Sequence, residues 1–142
     1  VPPIVYITRR FEFAAAHRVY NPAWTDEQNA AFYGPCSNPA GHGHNYTLEV
    51  TIGGTPDPET GYLIDIKQLR KIVERVLISE LDHKHLNYDV PFLEGQIPST
   101  ENLIVAAWQK LENAFPSHVR LFRLRLWETS NNYFEYYGEK ID

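Results

Sequence analysis

Only one cysteine, Cys36, occurs in the 142 residues. A single thiol cannot close an internal disulfide, so a reducing compartment, the cytoplasm, is the expected home. No apolar run approaches the roughly 18 residues that a spanning helix needs, and no membrane association is expected. The opening Val1-Pro2-Pro3 lacks a charged stretch followed by an apolar one, so no signal peptide is expected either. Basic charge is in short supply. Lys and Arg number 13 against 18 Asp and Glu, which leaves a net charge of −5 and a pI near 5.7. A nucleic-acid groove needs a basic face, so no nucleic-acid partner is expected. A small anion is not excluded, because a local basic pocket can sit in an acidic protein. Internal repeats, low-complexity tracts, linkers and a GxxxxGK[ST] phosphate loop are all absent.

What is present fits one ordinary globular domain over 1–142. Hydrophobic residues make up 43% and charged residues 22% of the chain. Aromatics reach 13%, including nine Tyr, which favours β structure. Over 4–17, Val5, Ile7, Phe11, Phe13, Ala15 and His17 share one parity, with Arg9 interrupting it. That is a strand with one buried face. Residues 20–41 read as a long loop with a short helix near 26–32. Over 42–52, His42, His44, Tyr46, Leu48, Val50 and Ile52 share a face. A Gly/Pro-rich turn follows, then a short strand near 62–64.

Asp65 and Gln68 form a capping-box pattern for a helix that should end near Leu81, with Ile66, Leu69, Ile72, Val73, Val76 and Leu77 as its stripe. Residues 82–98 read as loop. A second helix begins at Ser99 or Thr100, carries Leu103, Ile104, Ala107, Trp108, Leu111 and Phe115, and is stopped by Pro116. Phe122, Leu124, Leu126 and Glu128 then alternate with Arg123, Arg125 and Trp127, and Asn131-Asn132 turns the chain into a strand at 133–137. The expected class is α+β, an antiparallel sheet with two helices on one face.

Five of the six histidines fall in three short segments. His42-Gly43-His44 is an H-x-H pair on a strand, where residues two apart point the same way and both imidazoles can meet one ion. His17 ends the buried parity of the preceding strand and arrives beside that pair if the two strands are neighbours. Two unpaired imidazoles on an otherwise apolar face would be costly, which favours a metal, and three protein ligands with one open position is a common catalytic zinc arrangement.

Cys36 lies in a Gly/Pro/Asn loop that leads directly to the pair. It is read as an inert small hydrophobe, as a base activated by a nearby ion or imidazolium, or as a fourth ligand that would close the site. Asp82-His83 is either a proton-shuttling pair or a helix-end histidine favoured by the dipole. Glu128 ends an apolar face, so it either needs a partner such as a guanidine-like edge or has already reached solvent. His85 has no assigned role, and His118 reads as surface.

Together, FEFAAAHR (11–18), GPCSNPAGHGHNY (34–46), LDHKHLN (81–87), STENL (99–103) and WETSNN (127–132) resemble the 6-pyruvoyl-tetrahydropterin synthase family over almost the full length. The resemblance implies the tunnelling fold, in which subunits join sheets into a trimeric β-barrel and two trimers stack into a homohexamer. It implies a lyase acting on 7,8-dihydroneopterin triphosphate, which loses triphosphate to give 6-pyruvoyl-tetrahydropterin. By position, His17, His42 and His44 resemble the ligands of one Zn2+ per subunit, and Cys36 the proton-abstracting base. Asp82 and His83 resemble its relay partners. Glu128 resembles the anchor of the pterin edge, with Thr100 and Glu101 near the pterin. Arg9, Arg10 and Arg18 are candidate triphosphate contacts.

A sister activity on the same fold, 6-carboxy-tetrahydropterin synthase of the queuosine pathway, also releases acetaldehyde and is the alternative product assignment. A non-enzymatic zinc-stabilised pterin-binding module, with Cys36 as the fourth ligand, is the alternative of another class. An H-x-H amidohydrolase barrel needs about 250 residues and is excluded by length.

Overall fold

Two long alternating stretches pair with each other and carry the site at one end. In the computed structural model, which describes residues 2–139, β1 (Val5–His17) and β2 (His42–Gly54) run antiparallel. Their register is unbroken from Val5 opposite Gly54 to His17 opposite His42. α1 (Asp26–Tyr33) lies in the connection, with Thr25 and Gln28 forming its capping box. α2 comprises Ile66–Val73, Glu74–Ile78 and Ser79–Leu81 in succession. β3 (Lys84–His85), α3 (Thr100–Leu111), β4 (Arg120–Thr129) and β5 (Asn132–Tyr136) complete the order. The sheet reads β3-β1-β2-β4-β5.

One face of the sheet carries Phe11, Phe13, Tyr46, Leu48, Val50, Leu124 and Leu126, all buried. Leu69, Leu77 and Leu81 of α2 and Leu103, Ala107 and Leu111 of α3 close over it, so both helices cover the same side. The opposite face carries charge: Arg125 meets Glu135 at 2.8 Å, and Arg10, Arg123 and Arg125 all approach Glu49.

Several details depart from the sequence pattern. No strand forms at 62–64. Leu63 and Ile64 are buried, but Asp57 and Gly61 hold that stretch in a turn, through Asp57 N–H to Tyr62 C=O and Gly61 N–H to Asp57 C=O. The extra strand is instead β3, two residues within the expected 82–98 loop, pairing parallel with Ala15 and Ala16.

Phe122 leaves the face shared by Leu124 and Leu126. Arg123 stands opposite Thr51 and Leu121 opposite Ile52, so Phe122 is the extra residue of a bulge, 42% exposed and packed against Tyr6 at 4.5 Å. The helix over 66–81 widens at Glu74–Ile78 into a π-type turn, which rotates the stripe so that Leu77, Ile78 and Leu81 stay buried. α3 ends at Leu111 rather than Phe115, and Ala114 N–H already turns back to the Leu111 carbonyl. His118 is exposed as expected, with its ring nitrogen 2.9 Å from the Leu63 carbonyl.

Candidate metal centre and active site

The β1–β2 register brings three imidazoles together. His17 sits opposite His42, and His44 opposite Ala15, so all three rings gather at the site end of the sheet. One nitrogen from each lies within 4.8 Å of the other two, and the His17 and His42 Nε2 atoms are 3.0 Å apart. His17 is almost fully buried. Its Nδ1 donates to the Pro98 carbonyl at 2.8 Å, which leaves the lone pair on Nε2, facing the cluster.

Burial holds the pKa of both His17 and His44 below the ordinary histidine value, so both stay neutral, the state in which imidazole binds metal. His44 Nε2 is buried with no hydrogen-bond partner, and the Tyr46 hydroxyl two residues on is in the same condition. Orphaned buried polar atoms are rare and call for an explanation. A cation among the three rings supplies one for His44. This donor set, neutral nitrogen ligands with no thiolate, suits a first-row divalent ion. The Cys36 thiol is exposed and outside the cluster, so the centre consists of three imidazoles and no sulfur.

Glu128 borders the centre. Its Oε2 lies 3.8 Å from His17 Nε2 and accepts the hydroxyl of Thr100, the buried first residue of α3. The carboxylate has therefore found a side-chain partner, while the residue itself remains only partly buried. Burial together with the Glu128 charge pushes the Tyr46 phenol up, so it stays protonated. Glu101 is exposed in the first turn of α3.

Asp82 and His83 follow α2 and lie in ion-pair contact, with His83 Nδ1 3.1 Å from Asp82 Oδ1. Asp82 Oδ1 also accepts the Ala14 N–H at 2.9 Å, and His83 N–H reaches the Ala14 carbonyl. His83 takes a left-handed backbone, φ 63°, uncommon for a residue with a side chain, and its ring projects outward with 84% exposure. A groove of about 480 Å3 runs along this edge between His44, Asn45, His83, Lys84 and His85.

The Ala14 N–H bond is the largest cause holding the Asp82 carboxyl below the ordinary carboxylate value. A lowered folded pKa contributes stability that is fully present above the unfolded value and is lost as pH falls through the folded one. Protection of the Ala14 amide against hydrogen exchange is therefore expected to persist as pH falls through the usual carboxylate range and to disappear only below it. In Asp82→Ala that protection should be weak at every pH. Equal protection in the variant and the parent would contradict this tie.

Cys36 occupies a 3-10 turn, Gly34–Ser37, and shares no hydrogen bond with His83 or the imidazoles among the described residues. Arg18 is turned inward: its Nε donates to the Ser37 carbonyl and its guanidinium lies 3.7 Å from the Tyr20 ring. The Pro98 carbonyl, Tyr46 and Asn87 are site features that residue patterns did not single out. Only Tyr46 had a visible signal, as the next residue on the His42/His44 face.

A family model described as 6-pyruvoyl tetrahydropterin synthase matches residues 6–139. The chain is 42% identical to a 6-pyruvoyl tetrahydrobiopterin synthase of Pongo abelii, with 94% of this chain and 91% of the relative covered. It is 43% identical to the protein of the same name from Poecilia reticulata, covering 96% and 92%. The solved 6-pyruvoyl tetrahydropterin synthase of Caenorhabditis elegans superposes with a TM-score of 0.88 at 34% identity, covering 97% of this chain and 98% of that one.

Proposed function

The chain belongs to the 6-pyruvoyl tetrahydropterin synthase family, and on that premise we propose that it is a lyase converting 7,8-dihydroneopterin triphosphate to 6-pyruvoyl-tetrahydropterin with loss of triphosphate. The observation that carries this reading is the cluster of His17, His42 and His44, with its unpartnered nitrogen, standing beside the Glu128–Thr100 pair. We assign the three imidazoles as ligands of zinc, one ion per subunit. Zinc in such a set supplies Lewis-acid polarisation of the substrate's side-chain hydroxyls.

Glu128 is assigned the pterin's guanidine-like edge. Thr100 fixes the carboxylate while each oxygen keeps a lone pair for the adjacent N–H groups. Glu101, next in the same helical turn, is assigned a peripheral pterin contact. Cys36 is assigned the base that takes a proton from a hydroxyl-bearing carbon of the side chain. The pterin ring gains the reducing equivalents that the side chain loses, so no nicotinamide is needed. Triphosphate leaves with the electrons of its C–O bond when the neighbouring carbon gives up a proton. Asp82 orients His83 through Nδ1 and leaves Nε2 pointing outward to relay protons for Cys36.

We place Cys36 and His83 of different subunits in one site. The outer edge of β1 before Ala14 and that of β5 are unpaired among the described residues. β5 of one copy can meet β1 of the next antiparallel, closing a trimeric barrel that leaves no open edge. A homohexamer of two such trimers, formed from one domain over 1–142, in a reducing cytoplasm that keeps Cys36 a thiol, completes the assignment. The partner is the small pterin triphosphate.

Glu128→Gln tests the pterin anchor. A hydrogen bond to a charged group contributes about 1.5–3 kcal/mol, so KM is expected to rise roughly 10- to 100-fold with zinc content unchanged. Steady-state kinetics and metal analysis read both. An unaltered KM would remove Glu128 from the substrate site.

A further inference from the structure

β1 ends at His17, and the next two residues do something the assigned chemistry does not require of them. The Arg18 N–H and C=O are both taken by the side chain of Asn87, at 2.8 Å to Oδ1 and 2.9 Å to Nδ2. Just upstream, Leu86 N–H bonds the Ala16 carbonyl at 2.7 Å, continuing the short parallel pairing of β3 with β1. The Asn87 amide thus replaces a backbone partner and extends the sheet edge by one residue.

From that fixed point the Arg18 side chain turns inward, only 14% exposed, and its Nε donates to the Ser37 carbonyl at 2.7 Å. Its guanidinium rests on the Tyr20 ring. Val19 N–H takes the Cys36 carbonyl at 2.9 Å. The carbonyls of Cys36 and of the residue after it are therefore both held by the pair that follows His17. Three segments meet here: the end of the metal-binding strand, the turn that carries the thiol, and the segment that carries His83.

We propose that Arg18 and Asn87 are positioning residues that set where the Cys36 thiol stands relative to the metal centre. The inference rests on the assignment of Cys36 as the base. A buried guanidinium with a directed Nε–H, fixed at its own backbone by a two-point amide clamp, holds a carbonyl in one place. An ammonium on a flexible stem does not reproduce that geometry. A base displaced by about 1 Å costs up to about 100-fold in rate without weakening substrate binding.

The test uses the zinc-loaded full chain with Arg18→Lys and Asn87→Ser, each alone. Both variants are expected to keep metal content and KM within twofold of the parent while kcat falls roughly 10- to 100-fold. The rate at which iodoacetamide alkylates Cys36 should change severalfold in both, a readout that a purely structural tie elsewhere would leave alone. Unchanged kcat and unchanged alkylation in either folded variant would overturn the proposal. So would a fall in kcat that merely tracks lost zinc, since the pair would then serve the strand and not the thiol. Cys36→Ala, measured alongside, separates the two levels: if it keeps full turnover, the base assignment has failed and the proposal falls with it, whereas a dead Cys36→Ala beside unaffected Arg18→Lys and Asn87→Ser overturns the positioning role alone.

Discussion

Cys36→Ala is expected to lower turnover by about 10²- to 10⁴-fold, the range that a positioned general base supplies, while zinc stays at one ion per subunit and the thermal midpoint barely moves. The thiol is exposed and lies outside the imidazole cluster, so its removal leaves no cavity and no vacant coordination position. The turn that carries it is held by the Cys36 and Ser37 carbonyls, which alanine leaves intact. Steady-state turnover, metal analysis and a melting curve on one preparation decide the matter. Loss of zinc together with unfolding would instead support a structural four-ligand module and remove Cys36 from the chemistry.

His44→Ala is expected to act on the metal and leave the apo fold alone. His44 Nε2 has no hydrogen bond to lose, because no protein group is bonded to it. The ring packs edge-on to His42 and Tyr46, and alanine on a strand position that is only partly buried forfeits a modest amount of contact. Zinc affinity, by contrast, should fall by at least about 100-fold, since even outer partners of metal ligands are each worth about 10- to 100-fold. Turnover should fall with it. The parent should melt higher with zinc than without. Stabilisation by a ligand present at about 100 times its Kd is about 2.7 kcal/mol, and the variant should lose most of that increment. Competition with a chelator measures the affinity, and paired melts with and without zinc measure the linkage. A variant that binds zinc as the parent does would remove His44 from the ligand set.

Much of this architecture was legible because it rests on period. The His42/His44 face continues through Tyr46, Leu48 and Val50, and the parity of β1 leads to His17, so one antiparallel pairing is enough to gather the three rings. The two helices followed from the caps Asp65 and Ser99 and their stripes, although Asp65 accepts the Lys67 N–H instead of sharing a box with Gln68, and Ile66 lies exposed. What period cannot encode was not legible. β3 is two residues long and exists because Ala15 and Ala16 offer an edge, which no local pattern in Lys84–His85 announces. The bulge at Thr51/Ile52 shifts Phe122 off the core face by a single residue, and alternation read from the sequence continues straight through it. Leu63 and Ile64 are apolar enough to suggest a strand, but they are buried without a ladder partner.

At the site, the close approach of Asp82 and His83 accompanies a left-handed backbone at His83, which is uncommon for a residue other than glycine. The Arg18–Asn87 clamp joins residues 69 apart and leaves no signature in either neighbourhood.

Product identification tests the central claim most directly. The purified protein, with and without added zinc, is incubated with 7,8-dihydroneopterin triphosphate, and the products are identified by mass spectrometry. The account predicts zinc-dependent formation of 6-pyruvoyl-tetrahydropterin and triphosphate with no acetaldehyde. A carboxy-tetrahydropterin mass accompanied by acetaldehyde, or no zinc-dependent turnover at all, would contradict it.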